Sequence, residues 1–388
     1  MKVFLKKRLI ENFRVEISAQ SKMNILKKLL ISETSLILKK NKMNNIIVNQ
    51  LKLLLAFCIL LVVTGCSTWK LGSAGQKKIS GKTYVIVGAS SGFGRGVAQE
   101  LGKYKANVVL AARRRELLEE IADTIRANGG KAIVVTMDIS KPEDLQRVSD
   151  AAVKEYSKID VWINMAGVGA IGRFWEIPTE DQARIIDVNL KGFIYGSRVA
   201  VQQFIKQREG ILINMGSVDS ETPLAYQTSY AASKAGVRSL SLALSQELRL
   251  NGYKNIKVVT IEPWAVDTPW WRHAANYSGV EPKMALMDEP DKVLNATLRK
   301  SLRPKKIVPI GWKAKGSSFM ANVFPRFNEW FTANVSHKYQ MEMGPETPDT
   351  KGSIYEPMPE GRGVDDKVDE RMRQNKKDKK DKKIKKST

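Results

Sequence analysis

Tyr230 and Lys234 lie four residues apart in Tyr230-Ala231-Ala232-Ser233-Lys234, with Ser217 thirteen residues upstream. On a helix, positions i and i+4 share a face, so the phenol and the ammonium point into one space. A free phenol is a poor acid at neutral pH, with a pKa of about 10. A nearby cation favours the phenolate. Lys234 is therefore expected to lower the Tyr230 pKa and make the phenol a usable proton donor or acceptor. The spacing alone recurs by chance in many chains; the sequence upstream gives it weight.

Lys82-Thr83-Tyr84-Val85-Ile86-Val87 reads as a short buried strand. It runs into Gly88-Ala89-Ser90-Ser91-Gly92-Phe93-Gly94 and then a helical stretch, Arg95 to Lys103. Glycines at this place allow a tight turn and let backbone approach a pyrophosphate at the helix N-terminus. The spacing is GxxxGxG rather than the general GxGxxG fingerprint. Further short apolar runs follow at Ala106 to Leu110, Ala132 to Val135, Val161 to Asn164, Ile211 to Asn214 and Ile256 to Ile261. Helical stretches alternate with them: Arg114 to Arg126, Pro142 to Tyr156, Glu180 to Gln207 and Tyr230 to Leu250. This alternation predicts an α/β fold, a doubly wound parallel sheet of the Rossmann type with helices on both faces. Ligands bind such sheets at the carboxyl ends of the strands. Gly88, Asp138, Asn164 and Ser217 all fall at predicted strand ends.

With these residues in order, the chain from about residue 80 to 310 resembles the short-chain dehydrogenase/reductase family. Gly88, Ser90, Ser91, Gly92, Phe93 and Gly94 look like its cofactor loop. Asp138, followed by Ile139, looks like its adenine contact. Asn164-Met165-Ala166-Gly167 resembles its NNAG motif, with Met165 in place of the second Asn. Asn189, Ser217, Tyr230 and Lys234 match its catalytic tetrad. The resemblance implies that Tyr230 exchanges the substrate proton and Ser217 polarises the substrate oxygen. It implies that Lys234 binds the nicotinamide ribose and that Asn189 anchors a water leading from Lys234 to solvent. Glu262-Pro263-Trp264-Ala265-Val266-Asp267-Thr268 resembles the family's PGxVxT stretch, so Pro263, Val266 and Thr268 are expected at the nicotinamide amide. Trp264 stands where the family has Gly, which puts the local turn in question. With Trp270, Trp271 and Tyr277 it suggests an apolar or bulky substrate.

The second strand bears on the cofactor. Family members that use NAD close it with an acidic residue, whereas here Ala112 is followed by Arg113-Arg114-Arg115. A guanidinium suits a 2′-phosphate, so NADP(H) is expected, with Arg113 the main contact and Arg114 the second. The alternative is a solvated basic turn. The function implied is an oxidoreductase interconverting an alcohol and a carbonyl. The competing class is a membrane-attached NADP(H)-binding scaffold or sensor with little turnover, against which the intact tetrad argues.

Other chemistries fit poorly. The chain has two histidines, His273 and His337, and Met215-Gly216-Ser217-Val218-Asp219 lacks the closing Gly of a hydrolase elbow. The only cysteines, Cys58 and Cys66, lie near the N-terminus, so no zinc site or disulfide is expected in the catalytic domain. The net charge of +24 is concentrated at the ends: residues 1–52 carry 12 basic and 3 acidic side chains, and residues 371–388 carry 10 and 2. That leaves +7 for the remainder, so nucleic acid is not the expected partner.

The expected organisation is a basic extension (1–42), a signal or anchor (43–66), a linker (67–79), the catalytic domain (80–310), an amphipathic extension (311–340) and a disordered Lys-rich tail (341–388). Residues 53 to 64 are uncharged and mostly apolar, right in length for a signal h-region. Val63-Thr64-Gly65-Cys66 resembles a bacterial lipobox, and Met43 is a candidate true start. The alternative is an uncleaved hydrophobic anchor. Either way membrane attachment is expected, and the side stays open. Twelve preceding basic residues place the domain outside the cytoplasm, while NADP(H) is expected inside. Phe319, Val323, Phe327 and Phe331 recur every four residues, joined by Phe324 and Trp330 and interrupted by Pro325. This stripe is expected to pack onto the core; a membrane contact, a pocket cap or a subunit contact are the alternatives. A small-molecule substrate and a homo-oligomer complete the expectation.

Overall fold

The structure is a computed structural model that describes residues 70–375. The elements run in chain order: α1 (Ser73–Ile79), β1 (Thr83–Val87), α2 (Gly92–Lys103), β2 (Asn107–Ala112), α3 (Arg115–Ala127), β3 (Lys131–Thr136), α4 (Pro142–Tyr156), β4 (Val161–Asn164) and β5 (Ala170–Ile171). Then come α5 (Thr179–Ile186), α6 (Gly192–Gln207), β6 (Gly210–Met215), α7 (Thr228–Leu250), β7 (Ile256–Pro263), α8 (Trp270–His273), β8 (Ala275–Asn276), α9 (Asp291–Lys300), β9 (Ile307–Ile310), α10 (Gly311–Val323) and α11 (Pro325–His337). All five residues of β1 are buried, as helices on both sheet faces require. In α3 the buried positions are Leu117, Leu118, Ile121, Ala122 and Ile125, the stripe of an amphipathic helix.

Seven strands form one parallel sheet in the order β3-β2-β1-β4-β6-β7-β9. The chain winds outward from β1 to β3, then α4 carries it back across to β4 and onward in the other direction. The order therefore reverses between β1 and β4, and a crevice lies at their carboxyl ends. β5 and β8 pair separately beside it.

Three expectations change. The helix expected over Glu180 to Gln207 runs unbroken from Thr179 but contains a π turn at Asp187–Lys191, which lies between α5 and α6 and carries Asn189. Residues 341–375, expected to be disordered, are packed. Ile354 and Val368 are fully buried and Met372 nearly so, Arg272 pairs with Asp366, and residues 368–375 are helical. A few apolar side chains at wide spacing suffice because each finds a site already framed by the core. Lys376 to Lys386 lie outside the described residues, as do the expected signal and linker up to residue 69. Finally, the aromatic stripe does not pack inward. Asn328, Thr332 and Ser336 are the buried face of α11, while Phe327, Trp330 and Phe331 face outward.

Candidate active site

The glycine turn after β1 is shaped by backbone proximity. Gly88 has φ +95°, and a Cβ there would stand 2.5 Å from the Ala166 amide nitrogen. A Cβ on Gly94 would stand 2.0 Å from the Gly88 carbonyl oxygen. Both positions need glycine, and together they draw the start of α2 against the ends of β1 and β4. The cleft wall there comprises Gly88, Ser90, Ser91, Gly92, Phe93 and Gly94, with Ala166 and Gly167 across from them. Asp138 and Ile139 line the β3 side, Arg113 and Arg114 the β2 end, and Pro263, Val266 and Thr268 the β7 end.

Ser217, Tyr230 and Lys234 reach the same cleft from β6 and α7. Ser217 sits just past β6 in extended backbone, and its Oγ accepts the Asp219 amide at 3.1 Å. Its side chain also hydrogen-bonds the Tyr230 phenol. Lys234 is buried, donates to the Met215 carbonyl at 2.9 Å, and lies 5.6 Å from the Tyr230 ring centroid. The ring of Trp270 flanks Tyr230 at 5.1 Å between centroids.

Titration behaviour departs from the expected pairing. Burial pushes the Tyr230 phenol up and the Asp219 charge pushes the same way, with the Ser217 hydrogen bond opposing. Burial lowers Lys234 to about 7, partly offset by Asp219. The phenol is thus held protonated rather than acidified, because desolvating the phenolate outweighs a cation that is itself desolvated. Asp219 is the residue sequence reasoning missed. It is 4 % exposed, its Oδ1 has no hydrogen-bond partner, and burial raises its carboxyl to about 7 against the Ser217 hydrogen bond and the Lys234 charge. Its place two residues after Ser217 was visible; its burial was not.

Two expected site residues lie behind the cleft wall. Asn164 is fully buried, accepts from the Trp162 indole and donates to Asn214 Oδ1, both at 2.8 Å. Its side chain ties β4 to β6 rather than meeting a cofactor. Asn189 clamps the Val168 backbone, accepting its N–H at 2.9 Å and donating to its carbonyl at 2.8 Å. The π turn aims Asn189 there, beside Gly167 and the Lys234 amine. Tyr277, expected in the substrate pocket, instead donates to Asp181. Trp264, Trp270 and Trp271 do line the cleft. Trp264 carries no positive φ, so the turn accommodates it without glycine.

The packed C-terminal segment forms a strap across the β2 end of the cleft. Arg113 donates to the Ser353 carbonyl at 2.8 Å and to the Tyr355 carbonyl. Arg114 donates to Met358 at 3.1 Å and also to Ser90 Oγ at 3.1 Å. Gly92 N–H donates to Gly363 at 2.9 Å, and Glu360 contacts His273 Nε2 at 2.9 Å. Arg184, another cleft residue, bonds Ile354 and pairs with Asp138 at 2.9 Å. Burial alone would raise the Asp138 carboxyl, but Ser140 and Arg184 hold it below the usual range. Among the described residues no group of His, Cys, Asp and Glu could hold a metal ion. Neither histidine meets Ser217; His337 bonds Tyr226 at 2.7 Å.

The profile of the short chain dehydrogenase family matches residues 82–277. An uncharacterized oxidoreductase of Bacillus subtilis is 31 % identical over 283 residues, covering 72 % of this chain and 79 % of the relative. A 3beta-hydroxysteroid dehydrogenase of Eggerthella lenta is 37 % identical over 195 residues, covering 49 % and 73 %. Among solved structures, a 3-ketoacyl-(acyl-carrier-protein) reductase from Brucella melitensis complexed with NADH superimposes with a TM-score of 0.52 at 27 % identity. It covers 61 % of this chain and 99 % of that one.

Proposed function

The chain belongs to the short chain dehydrogenase family of oxidoreductases, and we propose that it interconverts an alcohol and a carbonyl with NADP(H), Tyr230 acting as acid and base. The observation that carries this is convergence: Ser217, Tyr230 and Lys234 meet in one cleft with the glycine turn of Gly88 and Gly94. The residues present fit a dinucleotide, since two positions where a Cβ would collide with backbone leave a cradle beside the N-terminus of α2. That cofactor supplies or accepts the hydride when bound. Ser217 holds the substrate oxygen, and Tyr230 gives it a proton during reduction. Lys234, held by the Met215 carbonyl, binds the ribose and returns the proton in this reading. Asn189 holds the Val168 segment against this group. The apolar wall of Leu224, Trp264 and Trp271 favours a substrate with a hydrophobic body.

The preference for NADP(H) rests on Arg113 and Arg114, which supply guanidinium donors where an acidic residue would repel a phosphate. The purified protein is expected to reduce members of a carbonyl panel with NADPH faster than with NADH. A second reading, an NADP(H)-binding sensor, draws on the strap carbonyls that engage Arg113, Arg114 and the Gly92 amide. Tight NADPH binding by calorimetry without reduction of any panel member would select it. We also assign the chain to a membrane through residues 53–66, and we take a homo-oligomer as its assembly. Reporter fusions active on one side only would fix the topology.

A further inference from the structure

The hairpin of α10 and α11 presents its apolar side chains to the outside. Trp312, Val323, Phe324, Phe327, Trp330 and Phe331 are each about half exposed or more, with Trp330 at 62 %. Phe327 contacts Trp330 and Phe331 at 6.0 and 6.1 Å between ring centroids, so these three rings form one surface. The opposite face holds the hairpin to the domain through polar contacts and the packed Val335. Ser318 and Asn322 bond Glu221, and Asn328, Thr332 and Ser336 are buried. A helix in water buries its apolar stripe; this one buries the polar stripe, so the outer face needs an apolar cover.

We propose that this outer face of the hairpin docks on an anionic phospholipid bilayer. Charge complementarity favours that occupant over a second copy of the chain. Residues 311–338 carry Lys313, Lys315, Arg326 and Lys338 against the single acid Glu329. Lys315, Arg326 and Lys338 are exposed. Two identical basic faces repel each other, whereas anionic headgroups attract both. Trp and Phe beside Lys and Arg are the composition of an interfacial helix. The apolar run at residues 53–64 of the same chain supplies a second attachment, and stable peripheral binding takes two signals.

The docking also deepens the proposed function and in that respect rests on it. Val335 of α11 packs against the buried cluster that contains Leu224 and Trp271, as Trp264 and Trp270 also do, and these four residues form the apolar wall of the cleft. A docked hairpin sets that wall beside the bilayer, so the substrate class is a lipid-soluble alcohol or carbonyl.

The test uses the full chain, reconstituted into vesicles of phosphatidylcholine and phosphatidylglycerol with or without bromine on the acyl chains. Brominated lipid is expected to quench tryptophan emission, and Trp312→Phe with Trp330→Phe should remove most of that quenching. Vesicles of phosphatidylcholine alone should quench less. Equal quenching in wild type and the double variant overturns the proposal, because the signal then arises elsewhere, as at Trp69. The triple variant Phe327→Ser, Trp330→Ser, Phe331→Ser should keep its melting temperature and its mass by light scattering while losing hairpin quenching. A fall in mass from dimer to monomer would instead make the face a subunit contact and overturn docking. NADPH-dependent reduction of a water-soluble aldehyde, assayed in parallel, reports separately on the oxidoreductase reading.

Discussion

At the scale of the residue, the proposed chemistry turns on the phenol of Tyr230. Tyr230→Phe removes the proposed proton donor while leaving the cradle of Gly88 and Gly94 intact. Turnover is expected to fall by roughly 10²- to 10⁴-fold, with NADPH affinity by fluorescence titration nearly unchanged. Loss of binding would contradict the assigned role. Asp219 raises the Tyr230 phenol through its charge. Asp219→Asn should therefore move the rising limb of the pH profile for alcohol oxidation, where Tyr230 must lose its proton to act as base, to lower pH, read from kcat/KM against pH. An unmoved profile would show that the carboxylate does not act on Tyr230. The meeting of Ser217, Tyr230 and Lys234 in one cleft was legible because residues four apart share a helix face and Ser217 follows directly on a strand end. Asp219 was not, since sequence gives its distance along the chain and not its burial.

Elements position these groups, and two of them can be perturbed selectively. Gly94→Ala drives a Cβ into the Gly88 carbonyl at the turn between β1 and α2. It is expected to destabilise by about 1–3 kcal/mol, seen as a lower melting temperature and weaker dinucleotide binding. Arg113→Ala removes guanidinium donors from the end of β2. The KM for NADPH should rise by about tenfold or more while that for NADH changes little, since a charge-assisted bond contributes about 1.5–3 kcal/mol. Equal effects on both cofactors would assign Arg113 to the strap instead. The βα alternation was legible in residues 82–263 from short apolar runs between amphipathic stretches. β9 was not, because Pro309 interrupts its pattern; the strand is tolerated because it stands at the sheet edge. The π turn at Asp187–Lys191 was also invisible, since the helical period continues through it with only one residue's slip.

The whole molecule couples buried charge to stability. Glu262 is 3 % exposed, with one oxygen on Arg238 at 2.7 Å and the other without a partner. Burial raises its carboxyl to about 7, against the pull of Arg238. A carboxyl raised in the folded state binds a proton that the unfolded state releases, so its ionisation costs stability as pH climbs from about 4.5 to about 7. Glu262→Gln is pH-independent at that site. Its stability relative to wild type should increase between pH 5 and pH 8 by on the order of 2 kcal/mol, measured by urea unfolding at each pH. A constant difference would mean that Glu262 is already ionised at pH 5.

The order of motifs along the chain was enough to specify the parallel sheet, the crevice at its switch point and the Ser, Tyr and Lys that meet there. Local spacing encodes each of these. Tertiary structure alone decided which polar groups lose water: the phenol raised rather than lowered, Asn164 turned into the core, and Asp219 enclosed beside Tyr230. It also decided the partners of Arg113 and Arg114, carbonyls from more than two hundred residues downstream, and the outward turn of the aromatic stripe. Burial is a property of what the rest of the chain places around a residue, and periodicity specifies a face without specifying what it meets.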